Sequence, residues 1–436
     1  MGSIVCKFGG TSVATAAQIR KVESILRADG RRRLVVPSAP GKCHSGDRKI
    51  TDLLYTCHQL ADQGLSIAEP FAIIRDRYLE IAEESGVPTG LAADAVEEVR
   101  AAIEGGANRD FVASRGEYLS GRIVAHFLGA RFVDPADGIR LTADGRLDPA
   151  SYDLLRPLLE GDGLVVVPGF YGRGPDGQIR TFSRGGSDIT GAVVARAAGA
   201  AVYENWTDVS GMLMADPRVV EGARAIREIT YREVRELSYM GASVFHEDAM
   251  FPVRQVGIPI HIRNTNAPDD PGTIILATRD ASATPIVGIA GRKGFSMIFV
   301  EKELMNKEHG FGRKMLEILE SHGISFEHAP TSIDSMGVIM ADDELDDQAE
   351  HIMEDIQVAL RPDRMEWIQG LALIATVGEG MAYRVGTAAR LFSAVCAAGV
   401  NVRVINQGAS EINIIIGVEE KDFCTAVRAI HRAFVQ

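Results

Sequence analysis

The hydrophobic pattern over residues 4–280 alternates between short apolar runs and longer stretches with an apolar position every three or four residues. Ile4, Val5 and Cys6 make the first run, followed at once by Lys7, Phe8, Gly9, Gly10, Thr11 and Ser12. A helical spacing then starts, with Val13, Ala16, Ile19, Val22 and Ile25 or Leu26 on one face. Strands are expected at 34–36, 131–133, 164–168, 201–204, 258–262 and 272–275, and a glycine-rich hairpin or lid at 169–177. Helices are expected after the polar turn at 37–42, through to about residue 113, and again over the alanine-rich 191–200. Strands separated by helices over such a length predict an α/β domain with helices on both faces of a largely parallel sheet.

The rest of the chain repeats itself. Gly294-Phe295-Ser296-Met297-Ile298 matches Gly370-Leu371-Ala372-Leu373-Ile374 at an offset of 76 residues. The same offset joins Met305 to Met381, Gly310 to Gly386, Gly323 to Gly399 and Val338 to Ile414. Each copy reads strand, helix, strand, turn, strand, helix, the last helices falling at 348–359 and 421–434. Units of about 75 residues have small cores, so the two are expected to pack on each other. The expected division is 1–284, 285–369 and 370–436, with a strand at 285–290 completing the last unit.

Composition narrows the possibilities. The formal net charge of -13 argues against a nucleic-acid partner, which would need clustered Lys and Arg. Local positive pockets for small anions remain possible. Five cysteines (Cys6, Cys43, Cys57, Cys396, Cys424) are widely spaced with no CxxC, which points to a reducing, cytoplasmic setting. No run is long and apolar enough for a membrane span, and no secretory signal pattern stands at the N-terminus. The acidic run at 341–355 reads as a solvated helix face.

Four polar clusters carry candidate chemistry. The first is the Lys7–Gly9–Gly10 turn, where a cation and free amides would face an anion. The second is TFSRGGSDIT at 181–190, in which Gly185 and Gly186 permit close approach to backbone amides and Arg184 could clamp a carboxylate. The third spans 204–218, with Thr207 and Asp208 after a strand and Arg218 on an Asp-Pro turn. The fourth centres on Glu117, an acid among apolar neighbours that could receive an ammonium. Phosphoryl transfer uses such parts, since it depends on positioning and charge stabilisation. Asp208 or Asp188 could hold Mg²⁺ or orient a lysine. No Walker-type GxxxxGK[ST], protein-kinase, zinc-protease or serine-hydrolase motif occurs.

These stretches resemble the aspartate kinase family of the amino-acid kinase superfamily. The matching segments are KFGGTS at 7–12, RGE at 115–117, SRGGSD at 183–188, WTDVSG at 206–211, ADPRVV at 215–220 and the run 236–265. The resemblance implies a three-layer amino-acid kinase sandwich followed by two α+β, ferredoxin-like ACT domains, and a monofunctional form. It implies ATP-dependent phosphorylation of the β-carboxylate of L-aspartate, with ATP and Mg²⁺ as cofactors. Lys7 and Asp188 would be catalytic. Ser38, Thr51, Glu117, Arg184, Gly185 and Ser187 would bind aspartate, with Arg184 on its α-carboxylate and Glu117 on its α-ammonium. Gly9, Gly10 and the hydroxyls beside them would cradle phosphate, and Thr207, Asp208, Leu213 and Arg218 would serve the nucleotide. No metal is expected to be ligated by protein side chains alone.

Two positions depart from the family pattern: Ser243 replaces a lysine that meets the nucleotide, and Leu213 replaces an aromatic residue near the adenine. The ACT units imply feedback by lysine or threonine, through Ser332, Asp334, Ser335, Asn406, Gln407, Glu411 and Asn413. They also imply a homodimer or homotetramer. The alternatives are another amino-acid or carboxylate kinase of the superfamily and a non-catalytic amino-acid sensor.

Overall fold

A computed structural model describes residues 2–183, 185–242, 245, 247–282, 284–345 and 348–435. Two expected site positions, Arg184 and Ser243, fall outside the described residues. In chain order the first elements are β1 (Ile4–Phe8), α1 (Ala16–Arg27), β2 (Arg32–Pro37), α2 (Ile50–Asp62), α3 (Ala68–Ser85), α4 (Thr89–Glu104) and α5 (Arg109–Leu128). Next come β3 (Arg131–Phe132), α6 (Pro135–Gly138), α7 (Ser151–Leu159), β4 (Val165–Val166), β5 (Tyr171–Arg173), β6 (Ile179–Thr181), α8 (Gly186–Ala197) and β7 (Val202–Thr207). They are followed by β8 (Glu228–Thr230), α9 (Tyr231–Tyr239), α10 (Met250–Arg254), β9 (Ile260–Asn264) and β10 (Thr273–Leu276). The repeats supply β11 (Gly288–Glu301), α11 (Phe311–Ser321), β12 (Ser335–Ala341), α12 (Asp342–Leu345), α13 (Ala349–Leu360), β13 (Arg364–Val377), α14 (Thr387–Ala397), β14 (Val404–Asn406), β15 (Asn413–Glu419) and α15 (Phe423–Val435).

Contacts divide the chain into two compact units: Met1–Met212, Ala225–Tyr231 and Val244–Arg279 form one, and Leu213–Arg224, Arg232–Ser243 and Asp280–Gln436 form the other. The first is built on an eight-stranded sheet of order β3-β4-β2-β1-β7-β9-β10-β8. Every pairing is parallel except β9 with β10. The central strands β1, β2 and β7 are buried along most of their length, and the few polar residues in them, Lys7, Arg32, Glu204 and Asn205 among them, are buried with the rest. β1 lies between β2 and β7, so the chain leaves β1 to one side and returns on the other much later. The loops beyond the carboxyl ends of these strands therefore diverge, which is where open α/β sheets make their ligand crevice. On one face, Cys6, Phe8 and Trp206 join a core with Ile19, Val22 and the apolar sides of α2 to α5.

Two local expectations change. The helix does not follow Gly10 at once. Residues 10–13 form a single tight 3₁₀ turn, and α1 starts at Ala16 with Thr15 as its cap, Oγ1 accepting from the Gln18 amide at 3.3 Å. Nor do the helices stop near 113, for α5 runs on to Leu128 through Gly116 and Gly121. A β-carbon at Gly116 would come within 2.9 Å of the Ala39 side chain, so the glycine lets the helix lie against the loop after β2.

In the second unit, the repeats share one sheet of order β12-β11-β13-β15-β14. β11 pairs with β13 along its length: Ile289 faces Thr376, while Ile298 faces Trp367. Each of these long strands therefore serves both repeats. The 76-residue offset recurs in the backbone, since Gly294 and Gly370, Gly310 and Gly386, and Gly323 and Gly399 all have positive φ. The middle strand expected in the first repeat is reduced to isolated bridges, His328 with Ile339 and Thr331 with Met336. Part of α9 counts with this unit because Leu237 lies against Gly288 and Glu236 against Asn413.

Candidate active site

Lys7 is the fourth residue of β1, and its register partner on β7 is Asn205. Residues paired across a sheet point to the same face, and here both meet Asp188 in the first turn of α8. Lys7 Nζ lies 2.6 Å from Asp188 Oδ1. Asn205 Nδ2 donates to that same oxygen at 2.7 Å. Tyr203, two residues back on β7, donates its hydroxyl to the Asp188 main-chain carbonyl at 3.0 Å. Lys7 is 8% exposed and Asn205 4%. Asp188 does not cap α8; Gly185 occupies the cap position with φ of 62°, which leaves the aspartate free to face the sheet.

This group borders a cleft of about 260 Å³ lined by Lys7, Ser38, Thr51, Glu117, Phe170, Ser183, Gly185, Gly186, Ser187 and Asp188. The residues come from six separate places in the sequence: the ends of β1 and β2, the start of α2, the middle of α5, the residue before β5 and the turn into α8. Glu117 is 6% exposed, and its Oε2 has no hydrogen-bond partner. Burial pushes its carboxyl up from 4.5 to about 7, against the opposing pull of bonds from the Ala39 main chain and the Ser187 hydroxyl. A buried acid with a free oxygen at the edge of a cleft is suited to a cationic ligand group.

The Gly9–Gly10 turn is held from two sides. The Gly9 amide donates to Trp206 O at 2.9 Å, and the Gly41 amide donates to Gly10 O at 2.8 Å. A β-carbon at Gly10 would meet Ala39 O at 2.9 Å and Gly41 N at 3.0 Å, so the two loops can touch only because both residues are glycine. Of the hydroxyls expected to help cradle phosphate, Ser12 is instead buried and bonded to Thr265 Oγ1 at 2.7 Å. The 3₁₀ turn aims it inward.

The remaining expected residues are more dispersed. Thr207 ends β7, and its hydroxyl donates to the exposed Asp208 at 3.2 Å. Leu213 and Arg218 belong to the second unit, where Arg218 is exposed and pairs with Asp216 at 2.6 Å. In the repeats, Asp334 Oδ1 accepts from the Leu304 amide at 2.9 Å, and the Ser332 amide donates to Ser335 O at 2.8 Å. Asn406 is bonded to His328 Nδ1 at 2.9 Å, which ties a residue of the second repeat to one of the first. Asn413 Nδ2 donates to Glu236 Oε2 at 2.6 Å while its Oδ1 stays buried and unpartnered. Gln407 and Glu411 are exposed, Glu411 with φ of 55°.

Two participants were not singled out from sequence. Asn205 lies in the 204–218 cluster, but an asparagine in a strand carries no signal of its own partner. Glu204 is the other. It faces away from the cleft and accepts from Arg32 Nε at 2.8 Å, Arg32 Nη2 at 3.1 Å, Trp206 Nε1 at 2.9 Å and Arg263 Nη1 at 3.3 Å. Burial alone would raise its pKa, yet the bonds and charge of Arg32 hold it below the ordinary value. Among the described residues no three His, Cys, Asp or Glu side chains gather as a metal centre, and no helix is long and apolar enough to cross a membrane.

The chain matches the amino acid kinase family over residues 2–264 and an ACT domain over 374–434. It is 40% identical to Aspartokinase 3 of Bacillus subtilis, over 99% of this chain and 98% of that protein. The crystal structure of Clostridium acetobutylicum aspartate kinase is 46% identical with a TM-score of 0.94, covering 99% of this chain and 100% of that one. E. coli aspartokinase III is 28% identical over the full length of both chains, with TM-scores of 0.75 for its complex with aspartate and ADP and 0.77 for its complex with lysine and aspartate. The chain belongs to the amino acid kinase family and, within it, to the aspartokinases.

Proposed function

We propose that this enzyme transfers the γ-phosphoryl group of MgATP to the β-carboxylate of L-aspartate, giving ADP and 4-phospho-L-aspartate. The observation that carries the reading is the cleft in which Lys7, paired to Asp188, stands beside a buried Glu117 with an unpartnered oxygen. An α-amino acid brings an ammonium for Glu117. Its side-chain carboxylate is already ionised at neutral pH, so it attacks phosphorus without a general base. The new O–P bond forms as the bond to the β,γ-bridging oxygen breaks, and ADP takes the electron pair. Lys7 contributes positive charge at the transferring phosphoryl, and the Gly9 and Gly10 turn lets backbone approach it. The magnesium arrives with the nucleotide as part of the substrate. In this reading Asp188 orients Lys7, and Ser38, Thr51, Gly185 and Ser187 border the amino acid. Arg184 takes its α-carboxylate, and Thr207, Asp208, Leu213 and Arg218 serve the nucleotide.

Lysine is the effector we favour for the ACT repeats, because the E. coli relative has been crystallised with it. The candidate contacts are Ser332, Asp334, Ser335, Asn406, Gln407, Glu411 and Asn413. We further propose that a second copy of the chain associates through the repeats, which expose Leu304, Phe326 and Ile333. The deciding experiment is a hydroxamate assay with aspartate and glutamate, run with lysine, threonine or neither. Product from aspartate alone, suppressed by lysine, is the expected result. Product from glutamate alone would move the enzyme to another carboxylate, and indifference to both amino acids would remove the feedback assignment.

A further inference from the structure

Asp188 Oδ1 accepts two donors of different kinds from adjacent strands: the Lys7 ammonium at 2.6 Å and the Asn205 amide at 2.7 Å. The two side chains are register partners, so the sheet itself fixes their spacing. The Tyr203 hydroxyl holds the main chain of the same aspartate at 3.0 Å. β7 therefore grips Asp188 through two alternate residues on one face, independently of Lys7.

That independence matters for the reaction proposed above, on which this inference rests. A lysine that neutralises a moving phosphoryl group must loosen its hold on the aspartate it pairs with at rest. If Lys7 were the only donor, its departure would strand a mostly buried carboxylate without a partner, at a cost that would tie the lysine down. A neutral amide on the same oxygen removes much of that cost. It also keeps the carboxylate in one rotamer while the ammonium shifts.

We propose that Asn205 is a positioning residue of the kinase: it holds Asp188 in place so that Lys7 can pass from the aspartate to the phosphoryl group and back. Asn205 lies behind Asp188 and does not line the cleft, so it acts through the aspartate and not on substrate.

The test compares Asn205→Leu with the wild type. The leucine keeps the number and branching of the side-chain heavy atoms and removes the donor. The expected result is a kcat lower by about 10- to 100-fold, since a small misplacement of a catalytic group costs that much, with KM for aspartate and for ATP within about twofold. On an Asp188→Ala background the same substitution should add little, because nothing remains to be positioned. If the leucine variant does not fold, Asn205→Asp serves instead: it is nearly isosteric, turns the donor into an acceptor, and should lose more kcat than the leucine. Wild-type kcat in either variant overturns the proposal. So does a loss that recurs undiminished without Asp188, or one that appears equally in both KM values. Failure of the wild type to use aspartate overturns the substrate assignment instead; the Asn205 comparison is then made with whichever carboxylate the enzyme accepts.

Discussion

β1 and β7 carry two buried ionic groups back to back. On one face Lys7 and Asn205 meet Asp188; on the other, Cys6 and Trp206 lie with Glu204 between Arg32 and Arg263. The residues alternate along the same strands, so both groups arise from the same period-two pattern. Their carboxylates differ in saturation, although Arg263 Nε in the second group is itself buried without a partner. Glu204 receives bonds on both oxygens, and the Arg32 and Arg263 guanidiniums also lie over the Trp206 ring at 5.2 and 4.5 Å from its centre. The facing group borders open space, and nearby Glu117 keeps one oxygen without a partner. A buried charge whose bonds are all made inside the protein serves the fold, whereas one left incomplete beside a cleft is available to a ligand.

Substitutions on the two faces should therefore fail differently. The largest effect is expected for Lys7→Ala. Its kcat should fall by ~10²-fold or more if the lysine acts on developing charge, while stability changes little because Asn205 still serves Asp188. A normal kcat with only a raised KM would break the comparison, since it would reduce Lys7 to ground-state binding.

Glu204→Ala should do the reverse. It leaves the buried Arg32 guanidinium and the half-buried Arg263 guanidinium without their shared partner, which costs about 3–5 kcal/mol of stability, read as a lower denaturant midpoint. Turnover measured well below the unfolding transition should stay within a few-fold of the wild type. An unchanged midpoint would mean that this group is not a structural unit.

Glu117→Gln sharpens the contrast within one residue. The folded-state pKa near 7 lies above the unfolded value, so the native protein binds more protons between about pH 4.5 and 7. Stability from this group is present at acid pH and declines as pH rises through that window. Glutamine removes the decline, so the variant should melt higher than the wild type above pH 7. It should also lose the ammonium partner, raising KM for aspartate by roughly tenfold. In the wild type, kcat/KM for aspartate should fall as pH drops below about 7, because the acid becomes neutral. A flat profile there would show that the charge on Glu117 is not used.

Much of this was legible in the chain. The Lys7 turn, the turn before α8 and the 76-residue repeat are local or periodic signals, and they carried both the α/β architecture and the family. Less visible was the course of α5. Two glycines in its middle look like breaks, and only the close approach of Ala39 and Pro168 explains why the helix needs them. Ser12 likewise reads as a cradle residue until the 3₁₀ turn directs it to Thr265, 253 positions away.

The sequence by itself determined most of the strands and helices and which turns carry glycine beside charge, because these follow from backbone sterics and the spacing of apolar side chains over a few residues. Only the tertiary structure decided which charges meet. Asn205 finds Asp188 across 17 residues and Glu204 finds Arg32 across 172. Those partnerships depend on strand order and register, which place β7 beside β1 and give each alternate side chain its face. Whether a buried group is saturated or left open depends on every neighbour that folding brings to it, and a linear pattern does not contain that information.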